Sequence, residues 1–265
     1  MSPPVDATIA VTGMNATDNP APGVAVCRSL RAAPGFTGRI IGLGYEALDP
    51  GFYAEGLLDG GAILPYPSAG RAATLARLAA LREQFGIDVV LPTLDSELRP
   101  LAGAADQLKA LGLRAYTPSL ESLQAASKAQ LAEQGKRQSF PVPDSTPLTT
   151  AEAVSEAVDR LGLPVVIKGV FYGATVAHTE ADAIAAFHHH AAKWGLPVIG
   201  QRFIQGEEYD VAALGDGEGH TIGAVPMRKM ALTEKGKAWS GVTIEDPAML
   251  DLTQRVIAAL RWRGG

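Results

Sequence analysis

The stretch PVVIKGVFYGAT, residues 164–175, is a short apolar run that ends on Lys168 and passes into a turn spaced by Gly169 and Gly173. An ammonium at the end of a buried strand costs free energy unless an anion meets it. Lys128 stands at an earlier helix start, Arg228 and Lys229 end a later strand, and Lys235 and Lys237 lie in the glycine-containing loop TEKGKAW. Taken singly, each is a solvated charge. Lys128, Lys168 and the Arg228-Lys229 pair share a placement at the ends of elements, where they can converge on one cleft. Polyphosphate is the ligand that would use them, because it offers several negative charges at fixed spacing. Gly169 and Gly173 would let the backbone approach such a ligand and donate N–H groups to it.

A second stretch, VIGQRFIQGEEYDV at 198–211, carries an apolar strand into the turn Gln205-Gly206 and then the carboxylates Glu207 and Glu208. Backbone groups leaving a sheet can read the edge of an adenine, and a carboxylate a few residues later can accept both ribose hydroxyls. The same residues also read as a plain connection bearing solvated glutamates. In the first half, TGMNATDNPAPG (12–23) sits beyond a strand end, where open α/β sheets bind ligands. It lacks G-x-G-x-x-G, which leaves a dinucleotide site little support. It reads as a long loop shaped by Pro20, Pro22 and Gly23, with Asn15 and Asp18 as candidate ligand contacts. PTLDSE (92–97) puts Asp95 and Glu97 at the end of a buried strand. They either share one side of that strand, facing a substrate amine or a ribose, or cap the next helix, which is the commoner fate.

The elements that must hold these residues fall into two series. Over the first ~115 residues, apolar runs at 7–14, 39–48, 62–67, 88–97 and 113–118 alternate with helical patterns. In the helical stretch 68–86, Leu75, Leu78 and Phe85 mark one face and Gly86 suits the C-cap. Continuous apolar strands between helices predict a doubly wound parallel sheet covered on both faces. The composition then shifts to small, polar and proline residues over 121–150, which sets a predicted boundary: an α/β domain at 1–118 and a second domain at 119–265.

The second series begins with a helix over 150–161, capped by Thr149 or Thr150 and stopped at Gly162. The Lys168 strand follows, then a helix from about Thr179 to Trp194 and strands at 197–204, 208–214 and 220–229. The last two strands are joined by the hairpin signal DGEG, and a final helix opens at Asp246-Pro247. Strands joined by a tight turn pair antiparallel, so this domain is α+β. His188, His189 and His190 point about 100° apart on their helix and cannot chelate one metal. Ile184, Phe187, Ala191 and Trp194 supply the buried side of that helix, and the histidines are expected to face solvent.

The chain has 265 residues, of which 47% are hydrophobic and 19% charged, with a formal charge of −5. That composition is globular and gives no electrostatic reason to expect nucleic acid or an anionic membrane as partner. One cysteine, Cys27, excludes an internal disulfide and a Cys-rich zinc site; it reads as a small apolar residue on the first helix. The N-terminal stretch lacks a basic segment before its short apolar run, and no apolar run approaches the ~20 residues of a membrane span. A cytoplasmic protein is expected.

The stretches VTGMNATDNPAPGVAV, LPTLDSE, SKAQLAE, PVVIKGVFYGA, GQRFIQGEEYDVAAL and GAVPMRKM together resemble the ATP-grasp superfamily with its preceding α/β domain. The nearest likeness is to carbamoyl-phosphate-synthetase-like members of the carboxylate–amine ligase type. The resemblance implies that Lys128 and Lys168 bind the phosphates of ATP, with Lys168 reaching the α-phosphate and the adenine side. It implies a hinge from Gln201 to Ile204, including Phe203, whose backbone meets adenine at Arg202 and Ile204, and it makes Glu208 the ribose carboxylate. Gln201 stands where many relatives carry glutamate. Arg228 falls on a strand whose basic residues often face the phosphates or an acyl phosphate, which makes it the catalytic candidate.

The partners implied are ATP and a small carboxylate, with the oligomeric state left open, a homodimer included. Magnesium is a family expectation. Its acidic and asparagine ligands belong to strands that would follow LRWRGG, so no metal ligand is carried over and the second domain is expected to be incomplete at its C-terminus. The implied chemistry is attack of a carboxylate on the γ-phosphate, then displacement of phosphate by an amine or a similar nucleophile. A nucleotide-binding module without catalysis, or part of a split ligase, is the alternative.

Overall fold

The computed structural model describes residues 4–16, 21–170, 173–233 and 236–265. Asp18, Pro20 and Lys235, named above, lie outside the described residues, as do Phe171 and Tyr172 of the glycine-spaced turn. The chain forms two units. One comprises Met1–Leu120 together with Leu214–Glu218 and Arg261–Gly265; the other comprises Glu121–Ala213 and Gly219–Leu260.

The first unit is built from β1 (Thr8–Val11), α1 (Pro22–Ala32), β2 (Arg39–Gly44), β3 (Gly60–Ile63), α2 (Arg71–Phe85), β4 (Val89–Leu91), α3 (Asp95–Ala102), α4 (Ala105–Ala110) and β5 (Arg114–Ala115). The strands form one sheet in the order β3-β2-β1-β4-β5, parallel throughout. Successive strand residues enter opposite cores, as the pleat requires. Ala10, Ile41 and Leu43 pack with Leu78 and Leu81, while Ile9, Val11 and Ile40 pack with Cys27 and Met14. Burial on both faces is why these strands read as unbroken apolar runs. Pro22 and Gly23 open α1, and a Cβ on Gly23 would lie 2.0 Å from the Thr12 carbonyl oxygen.

Asp95 and Glu97 lie in the first turn of α3, beyond the end of β4, so the capping fate applies and not a shared strand face. Glu97 is 5% exposed and sits where the strand order turns between β1 and β4. Its carboxylate accepts from Thr12 Oγ1 at 2.5 Å, Tyr45 Oη at 2.6 Å and the Leu94 N–H at 3.3 Å. Burial pushes its pKa above the usual carboxylate range, and the Thr12 and Tyr45 hydroxyls offset part of that. The cavity beside it holds about 20 Å³, room for a water molecule. Glu97 is spent on tying three strand ends together.

The second unit begins with α5 (Leu120–Ala125) and α6 (Leu131–Gln138). It continues through β6 (Ser145–Leu148), α7 (Ala151–Leu161), β7 (Val165–Lys168), β8 (Ala174–Ala177), α8 (Glu180–Trp194) and β9 (Val198–Arg202). One sheet has the order β6-β9-β7-β8, antiparallel at every pairing. The sequence gives no strand signal for β6 because it carries Pro147, which an edge strand tolerates. Leu148, Val165, Ile167 and Val198 meet Val154, Val158 and Leu161 of α7 and Ala183 and Phe187 of α8 in one core. Both helices start on a threonine: Thr150 accepts from the Ala153 N–H, and Thr179 and Asp182 cap one another's backbone.

Then come β10 (Tyr209–Asp216), β11 (Thr221–Leu232), β12 (Ala238–Thr243), α9 (Pro247–Leu260) and β13 (Arg263–Gly264), with the second sheet ordered β12-β11-β10-β13. Gly215 and Asp216 pair with Gly264 and Arg263, and the Tyr116 hydroxyl donates to the Gly215 carbonyl at 2.8 Å. Those contacts place two short, late segments within the first unit. Among the described residues no helix is long and apolar enough to cross a membrane.

Candidate functional site

The site follows from the alternation along β7. Val165 and Ile167 are fully buried toward α7 and α8, so Val166 and Lys168 face the other side of the sheet. Val166 pairs with Gln201 of β9, which brings Lys168 and Gln201 to one face as diagonal neighbours. Lys168 Nζ donates to Gln201 Oε1 at 2.6 Å. That partner is a neutral amide and leaves the positive charge uncancelled. Burial holds the Lys168 pKa below its ordinary value, the Lys128 ammonium pushes it further down, and the Glu208 carboxylate opposes both. Lys128, Lys168 and Glu208 therefore share one electrostatic neighbourhood within the second unit. Lys128 reaches it from the turn between α5 and α6.

The carboxylate pair before β10 splits between two cations. Lys229 Nζ lies 3.2 Å from Glu208 Oε2 and 3.4 Å from Asp210 Oδ1, with the Lys229 side chain 13% exposed. Burial alone would lower the Lys229 pKa; Glu208 and Asp210 more than reverse it. Arg228 instead pairs with Glu207 at 2.8 Å, and Glu207 also accepts from the Tyr209 hydroxyl at 2.7 Å. Neighbouring residues on a strand point to opposite faces, so β11 can offer only one of its two cations to Glu208. That one is Lys229, and Arg228, the catalytic candidate, pairs with Glu207.

At the hinge, the Arg202 N–H donates to the Asp144 carbonyl at 2.9 Å, and its guanidinium lies 3.6 Å from the Asp144 carboxylate. Phe203 and Ile204 lie beyond the end of β9, and Ile204 is 62% exposed. Of the backbone groups at Arg202 and Ile204 expected to meet adenine, the Arg202 N–H is taken up by Asp144, and the Ile204 N–H has no backbone acceptor among the described residues.

The expectation for the histidine triplet is corrected in part. His188 and His189 are exposed, but His190 is 3% exposed, with Nε2 3.1 Å from Thr175 Oγ1. Three residues beyond Phe187 on a helix, it shares the buried face.

Glu207, Glu208 and Asp210 form no cluster with another His, Cys, Asp or Glu, among the described residues, close enough to hold a metal ion.

Solved structures share this architecture. Biotin carboxylase from Campylobacter jejuni, in complex with β-γ-ATP, superposes with a TM-score of 0.71 at 16% identity, covering 97% of this chain and 60% of that one. N5-carboxyaminoimidazole ribonucleotide synthetase from Thermotoga maritima gives 0.61 at 18% identity, covering 97% and 62%. These structures share the fold, and the sequence relatives below are carboxylate–amine ligases of the ATP-grasp superfamily, which the motifs of this chain resemble. D-alanine–D-alanine ligase of Ralstonia nicotianae is 30% identical over 214 residues, covering 69% of this chain and 62% of that protein. The corresponding enzyme of Chromohalobacter salexigens is 33% identical over 127 residues, covering 46% and 39%. Phosphoribosylamine–glycine ligase of Agrobacterium fabrum is 32% identical over 152 residues, covering 54% and 36%. The chain thus spans less than two thirds of each of these relatives. No family model matches the sequence.

Proposed function

We propose that the second unit binds ATP, and that the protein serves an ATP-dependent ligase reaction in which a small carboxylate is activated as an acyl phosphate. The observation that carries this reading is the Lys128–Lys168–Glu208 neighbourhood. A lysine whose proton affinity is lowered by burial and by the Lys128 ammonium is stabilised in its charged form by a polyanion, and a triphosphate supplies one. Lys168 and Lys128 would meet the phosphates, the free Ile204 N–H would meet the adenine edge, and Glu208 would accept from the ribose hydroxyls. Lys229 would hold Glu208 in place. The relatives support the class of reaction, being ligases that join an amine to a carboxylate.

In the first step a carboxylate oxygen of the substrate attacks the γ-phosphorus, the bond to the β-phosphate oxygen breaks, and ADP leaves. An amine then attacks the acyl carbon, loses a proton, and expels phosphate. Positive side chains lower the first barrier by neutralising charge that builds on the transferring phosphoryl group and on the leaving ADP oxygen. The alternative reading is a nucleotide-binding module without catalysis, or part of a split ligase. Both readings require ATP binding, and only the first gives ADP release on addition of a carboxylate and an amine.

Two measurements test the site itself. Glu208→Gln should cost about tenfold in affinity for ATP, the worth of one charge-assisted hydrogen bond, and little for an analogue lacking the ribose hydroxyls. Equal losses for the two ligands would put that carboxylate elsewhere. The second measurement is a proton count. Phosphate would raise the Lys168 pKa that burial and Lys128 depress, so ATP binding takes up protons where free Lys168 is partly neutral. Affinity should therefore fall as pH rises through the depressed pKa. Calorimetry in buffers of different ionisation enthalpy reads this directly, and Lys168→Met should abolish the uptake.

A further inference from the structure

His190 is a polar group buried where a leucine would pack at lower cost, in a triplet whose other two members face solvent. Thr175 of β8 pairs with Ile167, which puts its hydroxyl on the α8 side of the sheet, opposite Lys168. There it meets His190 Nε2 at 3.1 Å. His190 Nδ1 is buried with no partner among the described residues. A Cβ on Gly173 would lie 2.9 Å from His190 Cε1, 3.3 Å from Nδ1 and 3.7 Å from Trp194 Nε1, so imidazole and indole fill the space a side chain would need. Gly173 has φ +85°, and its carbonyl accepts from the Gly169 N–H at 3.1 Å. Gly169 follows Lys168 directly. Burial, with His189 and Lys193 adding like charge from the same helix, holds the His190 pKa below its ordinary value, so the ring is neutral at pH 7.

We infer that His190 is a positioning residue for the nucleotide site: anchored on Thr175 and packed against Gly173, it holds the Gly173 carbonyl that accepts from the Gly169 N–H, next to Lys168. The inference rests on the ATP reading, because the placement of Gly169 matters to function only if its backbone and Lys168 meet phosphate. Nothing in the sequence pattern marks the residue, which stands 22 positions after Lys168 on a separate helix.

The test uses the full chain and three variants. His190→Leu keeps the packing and loses both nitrogens, His190→Gln keeps an amide able to reach the Thr175 hydroxyl, and Thr175→Val removes only that hydroxyl. In the free protein, hydrogen exchange at the Gly169 amide should quicken about tenfold in His190→Leu and Thr175→Val and stay near the parent rate in His190→Gln. ATP affinity should fall about tenfold in the first two and recover to within about threefold in the third. A purely space-filling histidine predicts no rescue by glutamine, and that result would overturn the inference. So would unchanged Gly169 exchange in Thr175→Val, the variant least able to disturb folding. Absence of ATP binding by the parent protein would instead overturn the proposed function, with Gly169 exchange still deciding whether His190 holds the Gly173 carbonyl in place.

Discussion

Replacing Lys168 with Met should weaken ATP binding by roughly 10- to 150-fold, the equivalent of about 1.5–3 kcal/mol for a charge-assisted contact to phosphate. Methionine keeps an unbranched stem of similar length, so β7 and its pairing with Gln201 stay in place. What disappears is one hydrogen bond to a neutral amide and an ammonium that already repels Lys128. Relief of that repulsion offsets the lost bond, and the melting temperature should stay within about 2 °C of the parent. Calorimetric titration with ATP and a thermal melt on the same sample make the comparison. Undiminished affinity in a folded Lys168→Met protein would remove this lysine from any nucleotide site.

Phe187→Ala should be the most damaging of the changes considered for stability. Phe187 is 4% exposed and belongs to the core that joins α8 to the sheet of β6, β7, β8 and β9. Truncating a buried phenylalanine costs about 3–5 kcal/mol, part transfer free energy and part cavity. Against a total of ~5–15 kcal/mol that is a large share. The urea midpoint of the second unit should drop with little change in slope, since the same surface is exposed on unfolding. A loss below ~1 kcal/mol would mean that α8 does not close this core. The experiment also bears on His190, which sits on the same buried face of the helix.

Much of the fold was legible along the chain. The helices over 151–161 and 180–194 announce themselves through Thr150 and Thr179, glycines just past their ends and apolar residues at helical spacing. The parallel strands of the first unit are apolar throughout because both faces are buried, which is itself the clue to their architecture. Strands β6, β8 and β12 were not legible. Their residues are mixed, exposed or, at Pro147, unsuited to a central strand, and each becomes a strand only because a neighbour supplies its hydrogen bonds. The segments Leu214–Glu218 and Arg261–Gly265 joined the first unit for the same reason.

The candidate site divides along similar lines. Lys168 stood out by residue type, because a charge closing an apolar strand is costly and so conspicuous in a sequence; Lys128, the stretch around Gln201 and Glu208 drew attention through the resemblance to the ATP-grasp superfamily. Which partner each charge takes was settled only in three dimensions. Strand alternation turned Lys229 toward Glu208 and Arg228 toward Glu207, cross-strand register gave Lys168 to Gln201, and Asp144 captured the Arg202 N–H. Helix packing buried His190 and left His188 and His189 in water. The chain specifies which groups are available, since propensity and patterning act over a few neighbouring residues. Pairing between distant segments depends on register and packing, which exist only once the sheets have formed.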